Sequence, residues 1–332
     1  MKTAVVGSGA WGTALAIRLC KNGHDVTLWT FEKDLIPQME QERLNPRLPG
    51  AKLPKELKVS ADYACVRDCK LVVIACPSFP IRSVCRGIAP YLSEDAVLVS
   101  VTKGLEAGTT LRMSEVVEQE TGHKVVALTG PSHAEEVALD MPTGCLAACE
   151  NQNLAEFVQD AFMAQNFRIY TSPDIVGAEL GGALKNVIAL CAGVTDGLGF
   201  GDNTKAMLMT RGLTEMARLG LSMGAKKETF AGLTGVGDLI VTCTSMHSRN
   251  RRAGILIGQG LSAQEAMEKV GAVVEGYYAA QSAWELCQKQ GVNMPIFKAA
   301  YEVLYQGASA AEATETLLQR DRCPESEDAG WL

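Results

Sequence analysis

The sequence KTAVVGSGAWG, residues 2–12, decides the fold of this 332-residue chain. Its apolar first half has the pattern of a buried strand, its glycines that of a tight turn, and the apolar residues from Thr13 onward that of a helix. This is the opening of a dinucleotide-binding βαβ unit. In such a unit, Gly7 allows the turn, Gly9 leaves the backbone open to a pyrophosphate, and Gly12 lets the helix pack against the strand. The alternative is a tight turn in an α/β protein that binds nothing.

A second predicted strand, Asp25–Trp29, continues the unit. The helix between the two strands would present free N–H groups and the positive end of its dipole to the phosphates. Glu32 follows the last glycine by about 20 residues, the distance at which an acidic side chain hydrogen-bonds the adenosine ribose. Because Glu32 lies beyond the strand end, a solvated position in the first turn of the next helix, predicted over residues 33–44, is equally consistent.

Six further apolar runs have the length and composition of strands and alternate with helix-length segments. They are residues 57–60, 70–76, 96–101, 124–128, 143–148 and 167–170. This alternation predicts an α/β fold, with a Rossmann-type doubly wound, mostly parallel sheet in a dinucleotide-binding domain over residues 1–172. Ligands of such sheets bind beyond the carboxyl ends of the strands, where Lys103 and Gly130–Ser132 are expected.

The pattern changes after Pro173, where long Ala-, Leu-, Met- and Glu-rich segments with helical spacing replace the strand-like alternation. These segments are residues 174–196, 203–222, 262–270, 275–290 and 295–305. We therefore expect an all-helical, substrate-binding and catalytic domain over residues 173–320. The polar, acidic end of the chain, residues 321–332, is expected to be disordered.

Composition argues against several kinds of partner. The formal net charge is -7, whereas binding to nucleic acid requires a basic face. No apolar run approaches the roughly 20 residues that span a bilayer, and no signal peptide precedes the first strand, so we expect a cytoplasmic protein without membrane insertion. The 11 cysteines lack the spacing of common zinc or redox motifs. We expect free thiols in a reducing compartment and no metal site.

One lysine, Lys185, lies in an otherwise apolar segment rich in small residues, Glu179–Leu190. Burial disfavours the charged form of a lysine and lowers its pKa. Such a lysine can exchange a proton with an alcohol or carbonyl near neutral pH. The neighbouring Gly181 and Gly182 would let another backbone or a ligand approach. A lysine that snorkels to the surface from an amphipathic helix is equally consistent.

Two later segments also have the composition of a binding site. Gly232–Thr242 contains closely spaced glycines, and its Asp238 precedes an apolar helix, where it would also serve as a plain N-cap. Ser245–Arg252 has the densest positive charge in an acidic chain. Arginine binds phosphate through a bidentate fork, and Ser248 and Asn250 would add hydrogen bonds; the alternative is a solvated basic helix face. Together with the dinucleotide fold and the lysine, this pattern indicates a dehydrogenase for a small phosphorylated alcohol.

On these motifs the chain resembles the bacterial NAD(P)-dependent sn-glycerol-3-phosphate dehydrogenase family. Seven motifs occur in the family's order and cover nearly the whole chain. They are Gly7–Gly12, Thr102–Gly104, Thr129–Ser132, Gly181–Asn186, Gly237–Leu239, Ser248–Arg252 and Val273–Gly276.

The resemblance implies a cytoplasmic homodimer that reduces dihydroxyacetone phosphate to sn-glycerol 3-phosphate, the backbone precursor of phospholipids, with NAD(P)H as cofactor. It implies that Lys185 is the proton donor and acceptor. The residues at substrate-contact positions are Lys103, Gly130, Ser132, Lys185, Asp238, Thr242, Ser248, Arg249 and Asn250. Those at cofactor-contact positions, with the fingerprint glycines, are Gly7, Gly9, Ala10, Trp11, Gly12, Phe31, Glu32, Lys103, Ala134, Arg249, Val273 and Glu275.

One position departs from the pattern of members that favour NADP, which carry a basic residue where this chain has Glu32. Because an acidic group there repels a 2′-phosphate, we expect the protein to use NADH at least as well as NADPH. Two other functions stay open on the sequence. One is a β-hydroxyacid dehydrogenase, which also combines a Rossmann domain with helices and a catalytic lysine, and the other is a nucleotide-sensing protein without catalytic activity.

Overall fold

The computed structural model describes residues 1–325. Its N-terminal part is built on one sheet with strand order β3-β2-β1-β4-β5-β6-β7-β8, in which only the β6–β7 pair is antiparallel. The strands are β1 Lys2–Val6, β2 Asp25–Trp29, β3 Lys58–Ser60, β4 Leu71–Ile74, β5 Val97–Ser100, β6 Val125–Thr129, β7 Thr143–Ala148 and β8 Phe167–Ser172. The predicted Rossmann-type, mostly parallel sheet is confirmed.

The central strands are buried on both faces by helices, which explains why their sequences are continuously apolar. Val5 pairs with Leu28 on one side and with Val73 on the other, and all three belong to one hydrophobic core. Each such side chain contributes about 1.5–3 kcal/mol when fully buried. The helices of this part are α1 Ala10–Lys21, α2 Ile36–Gln41, α3 Ile81–Ile88, α4 Met113–Thr121, α5 Ala134–Ala138 and α6 Gln152–Phe162.

The second part of the chain is a set of helices around a long, buried central one. A Cβ on Gly193 would lie 2.1 Å from the carbonyl oxygen of Arg251, so glycine lets the central helix touch a neighbouring backbone directly. The predicted boundary between residues 172 and 173 falls just before Asp174, the N-cap of the central helix. The helices are α7 Ile175–Gly197, α8 Asp202–Ser222, α9 Lys227–Phe230, α10 Asp238–Thr244, α11 Arg249–Gly258, α12 Ala263–Val270, α13 Glu275–Gln290, α14 Pro295–Tyr305 and α15 Ala310–Leu318.

The expectation that no apolar run approaches the length of a membrane span is wrong for α7. This helix has 23 residues and a mean hydropathy of 1.5 over its most apolar window. However, 89% of that window is buried inside the protein. Its apolar character is therefore that of a core helix, since a helix that is hydrophobic all round can be buried in protein as well as in lipid.

Three other expectations need correction or limits. The polar helix predicted over residues 33–44 is a 3₁₀ turn at Lys33–Leu35 followed by α2. The helix ends before residue 44 because Arg43, at a φ of 57°, turns the chain out of helical geometry. Helices α9 and α15 were not predicted, since they have only 4 and 9 residues. Within the expected disordered tail, residues 321–325 are exposed and irregular, and residues 326–332 lie outside the described part.

The cysteines are all free, as their spacing predicts. Burial raises the pKa of several of these thiols, to about 11 for Cys20 and to about 12 for Cys243. Such thiols are poor nucleophiles and poor metal ligands, because the thiolate is the reactive form. Among residues 1–325, no group of three His, Cys, Asp or Glu side chains is placed to hold a metal ion.

Candidate active site

The glycine turn after β1 leaves an open cradle at the N-terminus of α1. Gly7 has a φ of 127°, and a Cβ there would lie 2.6 Å from the backbone at the end of β4. A Cβ on Gly12 would lie 2.0 Å from the Gly7 oxygen, so the helix touches the turn. Gly9, by contrast, has no atom within 4 Å of its Cβ position. The first N–H groups of the helix, at Ala10 and Trp11, have no partner within it and meet this open space.

Trp11, the second residue of α1, carries a further unpaired donor. Its indole Nε1 is buried and has no hydrogen-bond partner in the structure. Orphaned buried donors are uncommon in proteins. A pyrophosphate supplies acceptor oxygens and negative charge, both of which suit the N-terminus of a helix. The cradle therefore fits a dinucleotide.

Two of the predicted cofactor-contact residues, Phe31 and Glu32, follow the end of β2. Phe31 is 83% exposed, and Glu32 follows it without capping the 3₁₀ turn. Glu32 is instead held by Arg47, whose Nε donates to Oε2 at 3.2 Å while a second N–H donates to Oε1. The hydrogen bond to Arg47 lowers the pKa of the Glu32 carboxyl. Glu32 is therefore an ionised, paired side chain, and its partner Arg47 is 15 positions away in the sequence.

Lys185 lies inside the protein, only 5% exposed, so the alternative of a lysine that snorkels to the surface is wrong. Its Nζ donates to Thr242 Oγ1 at 2.6 Å and lies 2.8 Å from Asp238 Oδ1. Thr242 Oγ1 donates in turn to the main-chain oxygen of Asp238 at 2.6 Å. Burial lowers the pKa of Lys185 to about 8, although the Asp238 carboxylate opposes the shift. An amine with this pKa can give or take a proton near neutral pH.

Asp238 joins Lys185 to a second lysine. It is the first residue of α10 and its side chain caps nothing, so the interpretation as an N-cap is wrong. Lys103 Nζ, which follows β5, lies 2.7 Å from Asp238 Oδ2 and donates to the Gly130 oxygen at 3.0 Å. Burial raises the pKa of the Asp238 carboxyl, but the two lysines outweigh this effect and hold it below its ordinary value. Two ammonium groups around one carboxylate leave an excess positive charge in a buried site.

Glycines bring these elements together. A Cβ on Gly181 would lie 2.6 Å from the oxygen of Thr234, in the π-helical turn Leu233–Gly237 that precedes α10. A Cβ on Gly182 would lie 2.8 Å from Thr129 Oγ1, at the end of β6. The predicted close approach is thus made by the protein itself. It sets α7 against the strand ends, and Lys185 is thereby within reach of α10.

The basic segment 245–252 leads into α11 and forms its first turn. Ser248 is its N-cap, and its Oγ accepts a hydrogen bond from the Arg251 N–H at 3.2 Å. Arg251 is tied to Asp196, with Nε at 2.9 Å from Oδ2. Arg249 is exposed. The alternative of a solvated basic helix face is therefore wrong for Arg251, whereas the exposure of Arg249 agrees with it. The unpaired N–H groups of the first helical turn add to the positive potential at Arg249.

Asn250 connects this helix to the lysine. Its Nδ2 donates to Asn186 Oδ1 at 3.0 Å, and its Oδ1 accepts from the Gly276 N–H at 2.8 Å. Asn186 is the neighbour of Lys185 in the sequence. The N-termini of α11 and α13 are thus fixed beside Lys185 by one chain of buried amides.

The remaining predicted residues surround the same edge of the sheet. Glu275 begins α13 and accepts a hydrogen bond from Ser78 Oγ at 2.9 Å. Burial raises the pKa of the Glu275 carboxyl, against the effects of Ser78 and the charge of Arg249. Ser132 Oγ donates to the Gly130 oxygen at 3.0 Å. Ala134 starts α5, and Val273 lies half-buried just before α13.

Several polar residues at this edge were not singled out from the sequence. Ser78 directly follows a predicted strand, so the rule that ligands bind at the carboxyl ends of strands would have found it. The ring of His133 is tilted against that of His247, with 5.6 Å between the ring centroids, and burial lowers the pKa of His133. Asn186 ends the Gly181–Asn186 motif, and its role in holding Asn250 has no local signal. Arg47 gave no local signal, because its partner is distant in the sequence.

The glycine cradle and the buried lysine–aspartate cluster at the strand ends define a two-domain, NAD(P)-dependent oxidoreductase. Models of the N-terminal and C-terminal domains of NAD-dependent glycerol-3-phosphate dehydrogenase match residues 2–155 and 174–315. The chain therefore belongs to the NAD-dependent glycerol-3-phosphate dehydrogenase family, as the sequence motifs indicated.

Individual relatives agree with this assignment. Glycerol-3-phosphate dehydrogenase [NAD(P)+] of Clostridium perfringens is 50% identical over 97% of this chain and 98% of its own. The enzyme of that name from Thermoanaerobacter sp. is 49% identical over 97% of this chain and 98% of its own. The crystal structure of glycerol-3-phosphate dehydrogenase from Coxiella burnetii has a TM-score of 0.92 at 37% identity, covering 96% of this chain and 98% of its own. These similarities decide against a β-hydroxyacid dehydrogenase and a non-catalytic nucleotide sensor.

Proposed function

We propose that the protein interconverts dihydroxyacetone phosphate and sn-glycerol 3-phosphate, with either NADH or NADPH as cofactor. The observation that carries the proposal is Lys185, a buried lysine with a pKa of about 8 that is held by Asp238 and Thr242. Reduction of a ketone needs a hydride and a proton. The bound cofactor supplies the hydride, and an amine with this pKa supplies the proton.

In this mechanism the excess positive charge around Asp238 stabilises the oxygen that becomes negative as the carbonyl is reduced. Lys185 donates its proton to that oxygen, and in the reverse direction it takes the proton from the alcohol. Asp238 and Thr242 fix the position of the ammonium group. Lys103, tied to both Asp238 and the Gly130 oxygen, contributes the second positive charge.

The start of α11 holds the substrate phosphate in this proposal. Arg249 offers a charged fork, while Ser248 and the first N–H groups of the helix offer further donors. Asn250 acts by holding the helix beside Lys185. The other proposed substrate contacts are Gly130 and Ser132.

The cofactor lies along the carboxyl edge of the sheet in this proposal. The cradle of Gly7, Gly9, Ala10, Trp11 and Gly12 would hold its pyrophosphate, and Phe31 and Glu32 would hold its adenosine. The residues that remain would hold the reactive end, and they are Lys103, Ala134, Arg249, Val273 and Glu275. We also propose that the enzyme is a cytoplasmic homodimer that supplies phospholipid synthesis and uses NADH at least as well as NADPH.

The test is oxidation of NADH and NADPH by the purified protein, followed by absorbance, with dihydroxyacetone phosphate and with a panel of β-ketoacids. We expect turnover with the phosphorylated ketone alone. Turnover with the ketoacids and not with dihydroxyacetone phosphate would refute the proposal. Sedimentation analysis of the same preparation tests the homodimer.

A further inference from the structure

We propose that Arg47 is a second determinant of cofactor choice, and that its guanidinium exchanges between Glu32 and the 2′-phosphate of NADPH. The site would bind NADH while the Glu32–Arg47 ion pair is intact, and it would bind NADPH when Arg47 turns from Glu32 to the 2′-phosphate. This inference rests on the proposed function, since it concerns the adenosine end of the same cofactor site. It changes the physical basis of the expected cofactor preference, because Glu32 is not an isolated charge.

The backbone of Arg47 is fixed to the glycine cradle through Asn45. The Asn45 side chain is buried; its Nδ2 donates to the Ser8 oxygen at 2.9 Å and to Thr13 Oγ1 at 2.8 Å, while its Oδ1 accepts from the Arg47 N–H at 2.9 Å. Leu48, the next residue, is also buried. The loop is therefore anchored on both sides of Arg47. The Arg47 side chain, which is 52% exposed, extends beyond this anchor.

The ion pair itself is open to solvent. The side chains of Arg47 and Glu32 are 52% and 39% exposed. Ion pairs this exposed are weak, because water and salt compete for both partners. A guanidinium in such a pair can leave it at little cost when a more highly charged acceptor arrives.

The two cofactors offer different partners at this point. The ribose 2′-OH of NADH donates a hydrogen bond that a carboxylate accepts, and Glu32 can accept it while Arg47 holds its other lone pairs. The 2′-phosphate of NADPH only accepts at physiological pH, and Arg47 has the planar fork that binds phosphate in a bidentate manner. The Arg47 guanidinium cannot make a bidentate pair with Glu32 and with the 2′-phosphate at the same time. NADPH binding therefore replaces the pair with Glu32 by the pair with the phosphate, and it leaves Glu32 unpaired beside the phosphate.

Equilibrium binding of NADH and NADPH to the unliganded protein, followed by nucleotide fluorescence, tests this without reference to turnover. We expect Arg47→Ala to weaken NADPH binding by about 10- to 100-fold, the range for losing hydrogen bonds to a charged group, and to change NADH binding by less than about threefold. Arg47→Lys keeps the charge without the bidentate geometry, so its affinity for NADPH should lie between those of the wild type and Arg47→Ala. Arg86→Ala is the matched control, because it removes another exposed arginine that is paired with a carboxylate, that of Glu120.

A second variant tests the exchange itself. Glu32→Gln frees Arg47 and removes the negative charge, so NADPH should bind more tightly than to the wild type. In the double variant with Arg47→Ala this gain should shrink, because no guanidinium remains to be freed. Equal losses of both cofactors in Arg47→Ala, or an unchanged NADPH-to-NADH ratio, would overturn the assignment of Arg47. A wild-type protein that binds neither cofactor would instead overturn the proposed function.

Discussion

Replacing Lys185 tests the centre of the proposed mechanism. In Lys185→Ala the buried amine is lost, but Asp238 keeps Lys103 at 2.7 Å. The site then holds a neutral pair in place of one excess positive charge, so no unpaired charge is left to unfold the protein. Lys185→Met, which fills the same volume with an apolar chain, makes the same change without a cavity.

The magnitude follows from what the amine does. A positioned general acid contributes about 10²–10⁴ in rate, which corresponds to about 3–5 kcal/mol of transition-state stabilisation. We expect kcat for dihydroxyacetone phosphate reduction to fall by this factor in both variants. The affinity for NADH, measured by fluorescence, should stay unchanged, because the cradle at Gly9 is a separate part of the site.

The pH dependence gives the reasoning a second test. Because the pKa of Lys185 is about 8, the wild-type amine is protonated below this pH and neutral above it. Reduction should therefore slow as the pH rises through about 8, and oxidation should speed up over the same range. Both slopes should vanish in Lys185→Met. Near-wild-type kcat in either variant, or an unchanged pH profile, would refute the role of Lys185.

Three further predictions concern other parts of the chain. Arg249→Ala should raise KM for dihydroxyacetone phosphate by about 10- to 100-fold and affect unphosphorylated dihydroxyacetone less; equal losses in steady-state assays would contradict a phosphate contact. Gly9→Ala should fold normally, because its Cβ meets open space, yet it should bind NADH weakly. Gly201→Ala, whose Cβ also meets open space, is the control and should bind NADH normally. Equal NADH affinities of the two variants, measured by fluorescence, would count against the cradle. Burial raises the pKa of Glu215 from 4.5 to about 7, so the folded protein binds this proton more tightly than the unfolded chain does. The resulting stabilisation of the folded state is fully present below pH 4.5 and is lost as the pH rises through 7. Relative to Glu215→Gln, the wild type should gain about 2 kcal/mol in unfolding free energy between about pH 8 and pH 5, and a constant difference in urea titrations would exclude this.

The sequence by itself determined the sheet, because its signals are local. The central strands are short apolar runs of about the length they have in the structure, and the glycines at residues 7–12 fix one turn and one helix start through contacts between near neighbours. The same holds for the long helices α7, α8 and α13, whose periodicity extends over several turns. Lys185 could be proposed from the sequence because a single charge in an apolar segment stands out in one dimension.

Only the tertiary structure decided what these residues touch. Lys185 and Thr242 are 57 positions apart, and Lys103 and Asp238 are 135 positions apart. Asp238 has the local pattern of an N-cap, and it holds two lysines instead because α7 and β5 place both ammonium groups at the start of α10. Glu32 likewise has the pattern of a solvated residue until the loop anchored by Asn45 brings Arg47 to it. A pairing between distant segments has no local periodicity, so it exists only when packing has closed the chain around it.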